Sequence, residues 1–296
     1  MIDTDQREKA QKPAIAIIGT GLIGCSMADG LKDIASEIIG VDTNAGHLQE
    51  ALDRGWIDRS MSMSRAVGYA EIIILSVPVD VTVNLLPLIL DQAGSGSVII
   101  DAGSVKGAIC RSIRGHPGRD KFVAAHPMAG LAVAGPEAAG AGLFRNKKAL
   151  ICEHEKSSGR ALEAALSIFD HIGMDVIYME PDIHDLYVAK VSHLPQIMAY
   201  CLSSLTGRDK DKKENAVTIA STGFESSTRL ASSPADMWVP IFQHNDKHLY
   251  DSLDEMIILL TEVRDMIKNG RWQNIQKLIE EANMSREYFI SAYKQI

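Results

Sequence analysis

The chain has 296 residues, of which 46% are apolar and 23% charged, with a formal net charge of -8. That length accommodates two domains, and the composition is that of a folded globular chain rather than a disordered one. An acidic balance argues against sequence-independent nucleic-acid binding, because phosphates would be repelled, yet it leaves room for a local basic pocket that takes an anionic metabolite.

Residues 1–12 (MIDTDQREKAQK) are polar and mixed in charge, and read as a flexible tail. They lack the apolar centre of a signal peptide, and the longest apolar runs, such as 72–79, are too short to cross a bilayer; a cytoplasmic protein is expected. The run AIAII over 14–18 is a buried strand that ends in Gly19-Thr20-Gly21-Leu22-Ile23-Gly24, and 22–34 reads as a helix. A second apolar strand over 37–41 stops at Asp42, which completes a strand, glycine turn, helix, strand unit.

The alternation continues with helices over 44–54, 79–92 (with a kink expected at Pro87) and 105–114, and strands over 71–77, 97–101 and 121–125. Continuously apolar strands separated by helices predict a parallel sheet covered on both faces. Residues 128–142 are rich in Gly and Ala and read as a loop; late strands over 148–152 and 175–179 flank a helix over 157–172. From Pro181 the strand signal fades, and helices are expected over 182–205, 212–220, 234–268 and 274–293. The expected architecture is α/β: a Rossmann-type doubly wound sheet over 1–180, then an all-helical domain over 181–296.

The glycine spacing has a chemical reading in this context. Gly19 permits the tight turn, Gly21 lets the backbone approach a pyrophosphate, and Gly24 lets the helix pack against the strand, with the helix amides from Leu22 and Ile23 onward facing the phosphates. Asp42 lies about 20 residues on, where a carboxylate would bind a ribose 2′-hydroxyl and repel a 2′-phosphate, so NAD is expected rather than NADP. Ser76, Val77 and Pro78 end the next strand at the same edge, where they would flank the cofactor, although an ordinary strand-to-helix turn fits any single one of them equally well.

Ligands of open α/β sheets lie beyond the carboxyl ends of the strands. Two later strands run into suggestive residues there: 97–101 into Asp101-Ala102-Gly103-Ser104-Val105-Lys106, and 121–125 into His126-Pro127-Met128-Ala129-Gly130. A neutral His126 can accept a proton from a substrate hydroxyl as hydride leaves, and Ser104 can hydrogen-bond the same hydroxyl or the imidazole. From position alone, a histidine that caps a buried loop fits equally well. Farther on, His193 and Gln196 share a helical stretch, and Arg229 has the fork that clamps a carboxylate. Cys25, Cys110, Cys152 and Cys201 form no CxxC pair and have no histidine at zinc-ligand spacing; four buried reduced thiols are expected, with no metal and no disulfide.

Taken together, IIGTGLIG, LSVP, IIDAGSVK, AAHPMAG, the VSHLP helix and STGFESSTRLASSPADMW resemble the prephenate/arogenate dehydrogenase family of tyrosine biosynthesis, over nearly the whole chain. The resemblance implies NAD-dependent oxidative decarboxylation: prephenate would give 4-hydroxyphenylpyruvate, and arogenate would give tyrosine. It implies His126 as base, Ser104 as its support, Arg229 on a substrate carboxylate, with His193 and Gln196 on the substrate side, and a helical second domain that forms a homodimer. The chain departs from the common pattern at Leu131-Ala132, where many members have Thr-Glu, at Gln196, where many have a second His, and at Ser226, where an Asp is common. Gln196 can still donate to a keto group or carboxylate, which favours prephenate. No stretch of the sequence reads as a further regulatory module, so any feedback by tyrosine is expected at the active site itself. Two other classes compete: a β-hydroxyacid dehydrogenase, for which Lys190 is the sole mid-helix lysine candidate and lacks the Gly-rich motif, and a dinucleotide-sensing module without activity.

Overall fold

The computed structural model describes residues 12–131, 135–208 and 218–295. Residues 1–11 of the expected tail over 1–12, position 132 and the 212–217 part of an expected helix lie outside the described residues. Eight strands form one sheet in the order β3-β2-β1-β4-β5-β6-β7-β8. These are β1 (Ala14–Ile18), β2 (Glu37–Val41), β3 (Arg59–Ser60), β4 (Ile72–Leu75), β5 (Val98–Asp101), β6 (Phe122–Pro127), β7 (Lys147–Cys152) and β8 (Met174–Met179). The first six run parallel, β7 pairs antiparallel with β6, and β8 runs parallel to β7.

Alternation along the central strands explains the two layers of helices. Ile15 and Ile17 face one side, with Ile72, Ile74, Val98 and Ile100, and pack on α1 (Leu22–Leu31) and α6 (Gly159–His171). Ala16 and Ile18 face the other, with Ile73, Leu75 and Ile99, and pack on α3 (Met63–Tyr69), α4 (Val79–Gln92) and α5 (Gly107–Ser112). The remaining helix of this half, α2 (Ala45–Asp53), is capped by the Asn44 side chain, which accepts from the N–H groups of Gly46 and His47.

From Pro181 every described element is helical: α7 (Pro181–Val188), a π turn over Ala189–His193, α8 (Leu194–Gly207), α9 (Thr222–Thr228), a 3₁₀ turn over Arg229–Ser232, α10 (Ala235–His244), α11 (Asp246–Lys268) and α12 (Trp272–Gln295). Two expected helices are interrupted. The one over 182–205 widens into the π turn just before Pro195, whose missing N–H cannot continue the regular ladder. The one over 234–268 breaks at Asn245, which leaves helical geometry (φ -124°, ψ 29°) and uses its side chain elsewhere. Strand β3 was not expected, and two residues are too short to carry a periodic signal.

The chain forms two compact units, Met1–Asp246 and Lys247–Ile296. The second unit, made of the long C-terminal helices, leaves many large apolar side chains exposed, among them Ile258 (60% exposed), Trp272 (63%) and Phe289 (66%). Cys25, Cys110 and Cys152 are buried thiols, but Cys201 is exposed, which corrects the expectation of four buried ones: it lies on an outer face of α8. Among the described residues no helix is long and apolar enough to cross a membrane.

Candidate active site

The strand ends form one row of hydrogen bonds along the carboxyl edge of the sheet. Gly19 N–H donates to Val41 O, Ser76 N–H to Ile18 O, and Ala102 N–H to Leu75 O, each at 2.8 Å. The Asp101 carboxylate extends the row by accepting from Ala125 N–H at 2.8 Å. Thus the glycine loop, the Ser76 turn, the Ser104 loop and His126 all leave the sheet at the same edge.

At the glycine loop the three glycines separate by what surrounds them. Gly19 has φ +96°, and a Cβ there would lie 2.5 Å from Ser76 O. A Cβ on Gly24 would lie 1.9 Å from Gly19 O, so these two are required by the fold itself. A Cβ on Gly21 meets no protein atom within 4 Å. Gly21 is also the N-cap of α1, whose first-turn amides, Leu22 and Ile23 among them, take no side-chain cap. An uncapped helix start beside a glycine with free space around it fits a pyrophosphate.

Ser76 Oγ donates to Gly19 O at 2.7 Å, and Val77 flanks Gly19, so this turn braces the loop before Pro78 opens α4. Asp42 accepts from Thr20 N–H (2.7 Å), Thr20 Oγ1 (3.0 Å) and Asn44 N–H (2.8 Å). A carboxylate has about four acceptor positions, so one remains for a ribose hydroxyl.

At the other end of the row, Lys106 and Asp101 are an ion pair with both side chains 0% exposed. Lys106 Nζ also donates to Ala125 O at 2.5 Å, and Asp101 accepts from Gly103 N–H at 3.2 Å. The pair thereby pins both ends of the loop that carries Ser104 to the strand that carries His126. Ser104 and His126 are each partly exposed above this buried pair.

The helical segment closes on the same point. Asp185 accepts from the backbone N–H groups of Lys106 and Gly107, each at 2.8 Å, at the start of α5. A Cβ on Gly107 would lie 2.7 Å from that carboxylate, so glycine is needed there. His184 Nδ1 lies 2.8 Å from Asp185 Oδ1, and His184 Nε2 lies 2.8 Å from His126 Nδ1. Asn245 Nδ2 donates to Asp185 O at 2.7 Å and lies 3.2 Å from His193 Nδ1. His193 also meets the ring of Trp238 edge-on.

Burial holds all three histidines uncharged. It pushes His126 well below its ordinary value, reinforced by the nearby His184, Lys106 and His193. Burial also lowers His184, against the pull of Asp185, and lowers His193 to about 4. For Asp185, burial acts upward, but hydrogen bonds from His184 and the two backbone N–H groups outweigh it and keep the carboxyl below its ordinary value.

Gln196 follows His193 by three residues on the same helical face. It is buried, and its Nε2 donates to Leu230 O at 2.6 Å; Tyr200 Oη donates to Ser233 O at 2.9 Å. These two side chains hold the 3₁₀ turn that presents Arg229, which is exposed. The fold thus brings His126 into one bonded network with His193, and His193 into line with Gln196 and the Arg229 turn. Sequence reasoning missed His184, Asp185 and Asn245. One signal was present for the first two: they precede buried Val188 and Ala189 by four residues, so they fall on the apolar face of α7, where ionisable groups need partners. Asn245 carried no such signal. Among the described residues no cluster of three His, Cys, Asp or Glu side chains is placed to hold a metal ion.

The chain matches two family models, described as prephenate dehydrogenase, nucleotide-binding domain, over residues 27–178, and prephenate dehydrogenase, dimerization domain, over residues 180–281. It is 30% identical over 281 residues to a prephenate dehydrogenase of Bacillus subtilis, covering 93% of this chain and 76% of that one. Among solved structures it resembles a prephenate dehydrogenase from A. aeolicus in complex with hydroxyphenyl propionate and NAD+ (25% identity, TM-score 0.84, covering 93% and 98% of the two chains). It also resembles the Synechocystis arogenate dehydrogenase (26% identity, TM-score 0.76, covering 93% and 99%).

Proposed function

This chain belongs to the prephenate dehydrogenase family, and on that premise we propose that it converts prephenate to 4-hydroxyphenylpyruvate with NAD, in tyrosine biosynthesis. The observation that carries the reading is an uncharged imidazole, His126, at the end of β6 in the same row of strand ends as the open glycine cradle. Gly19, Gly21, Leu22, Ile23 and Gly24 hold the NAD pyrophosphate, Asp42 a ribose hydroxyl, and Ser76, Val77 and Pro78 flank the cofactor. NAD, when bound, supplies the hydride acceptor for the ring carbon that bears the hydroxyl.

The rest of the work falls to the chain's own residues. His126 takes the hydroxyl proton, and Ser104 hydrogen-bonds the same oxygen and keeps it in line. As that carbon becomes a carbonyl, the ring carboxylate departs as carbon dioxide and the ring becomes aromatic, so the site mainly has to position and polarise. Arg229 clamps a substrate carboxylate, with His193 and Gln196 on the side-chain end of the pocket. In this reading residues 1–180 bind the nucleotide, and residues 181–296 complete the site and form a cytoplasmic homodimer. The exposed apolar side chains of the long C-terminal helices support that dimer, since exposed apolar area on this scale is typical of an interface.

A second reading, arogenate as substrate, is favoured by Gln196. Its nitrogen faces a carbonyl, Leu230 O, which leaves Oε1 as its other polar atom. An oxygen acceptor suits an ammonium group better than a ketone. The assay is reduction of NAD by purified protein, followed by absorbance, with prephenate or arogenate. Turnover of prephenate supports the first reading, turnover of arogenate alone the second, and turnover of neither sinks both. The variant His126→Asn is expected to lose about 10²–10⁴ in kcat with NAD affinity retained.

A further inference from the structure

The three groups Asp185, His184 and His126 form a bonded line whose direction can be worked out atom by atom. Asp185 accepts two backbone N–H groups, from Lys106 and Gly107, and these donors favour its ionised form, which has no proton to give. The 2.8 Å contact to His184 Nδ1 is therefore N–H to carboxylate, with the proton on His184 Nδ1. His184 is 0% exposed and uncharged, so its Nε2 carries a lone pair. That lone pair is aimed at His126 Nδ1, again at 2.8 Å, with the two rings edge-on (centroids 5.0 Å apart, 67° between planes). Two acceptors cannot share a hydrogen bond, so His126 Nδ1 must bear the proton.

We infer that His184 and Asp185 are positioning residues that fix His126 in the tautomer protonated on Nδ1 and so keep its Nε2 free to take the substrate hydroxyl proton. The inference rests on the reading of His126 as the base, and supplies what that reading lacks, a reason why the correct nitrogen is unprotonated. The opposite direction requires an imidazolium at His184 or a neutral carboxylic acid at Asp185. The first is opposed by full burial and by Lys106, whose ammonium lies beneath the same network paired to Asp101. The second is opposed by the two backbone donors. A histidine held only by burial would divide its population between tautomers, and the Nε2-protonated share would be unable to act as base.

The test is a spectrum as well as a rate. In protein labelled with ¹⁵N-histidine, free of substrate and cofactor, ring nitrogen shifts and couplings identify the protonated nitrogen of His126. Wild type is expected to show Nδ1–H. His184→Leu removes the acceptor and is expected to shift His126 toward Nε2–H, with kcat reduced about 10²-fold or more and the KM for NAD unchanged. His184→Gln, whose oxygen can accept from Nδ1, is expected to restore both the tautomer and most of kcat. An Nε2–H signal in wild type, or an unaltered tautomer in His184→Leu, overturns the inference; the wild-type spectrum decides the matter even if that variant fails to fold. Wild-type turnover in His126→Asn would overturn the base reading instead, and would leave the tautomer assignment standing.

Discussion

Lowering the pH should unfold this protein through its buried histidines, and His193 allows the size of the effect to be worked out. Its ordinary value is 6.5, and burial lowers it to about 4 in the folded chain. The unfolded chain then binds a proton that the folded chain refuses, so stability is complete above pH 6.5 and declines as the pH falls toward 4. Between pH 7.5 and 4.5 the loss from this one group is about 2.5 kcal/mol. The window stops at 4.5 because Asp185 and Glu153, which are held below their ordinary values, lose most of their own contribution below it. His126 and His184 are lowered too and act in the same direction, so the wild-type loss alone does not isolate His193. The comparison is therefore wild type against His193→Asn, by urea unfolding at each pH. The variant should be less stable at pH 7.5 but should lose about 2.5 kcal/mol less on acidification. Equal losses in the two proteins would refute the argument that His193 is buried uncharged.

Other perturbations separate binding from folding. Lys106→Met strands the Asp101 carboxylate at 0% exposure and should cost about 3–5 kcal/mol in urea unfolding; an unchanged midpoint would mean the pair is not ionised. Gly24→Ala places a methyl group against Gly19 O and should lower the Tm, whereas Gly21→Val should leave the Tm near wild type and weaken NAD binding in titration calorimetry. If Gly21→Val binds NAD normally, the pyrophosphate lies elsewhere. Asp42→Ser should erode the preference for NAD over NADP in kcat/KM, and an unchanged ratio would remove the ribose from this carboxylate. Arg229→Ala should raise the substrate KM with little change in the KM for NAD; no rise would make Arg229 a surface residue.

The nucleotide half was legible because its constraints are local. A continuous apolar run, three spaced glycines and an acid at the end of the next strand occupy one short stretch, and each answers to the backbone around it. His126 and Ser104 were legible for the same reason, since strand ends can be read from apolar runs. Gln196 was legible as a position and not as a contact: nothing local reveals that its amide reaches Leu230, 34 residues on. Asp185 reaches back 79 residues to Lys106, and Asn245 reaches back 60 residues to the carbonyl of Asp185. Such contacts depend on how the helical segment closes over the sheet edge, which no periodicity encodes. The break at Asn245 illustrates the limit, because the helix runs through Pro240 and stops at Asn245, whose side chain bonds a distant segment.

The long-range bonds tie the first turn of α5 to the buried imidazoles. The two oxygens of Asp185 satisfy the first amides of α5 and orient His184 at the same time, while its backbone carbonyl holds Asn245 and, through it, His193. The atoms that fix the Ser104 loop are therefore the atoms that fix the imidazoles. Replacing Asp185 leaves two buried N–H groups without a partner, at about 1–3 kcal/mol each, so loss of activity in an Asp185 variant says little by itself about proton transfer. His184 is the better point of entry. Its ring touches the carboxylate on one side and His126 on the other, and an amide at that position can replace the acceptor without uncapping α5. A loss of rate that tracks the His126 tautomer, while the urea midpoint stays put, can come only from the orientation of that imidazole.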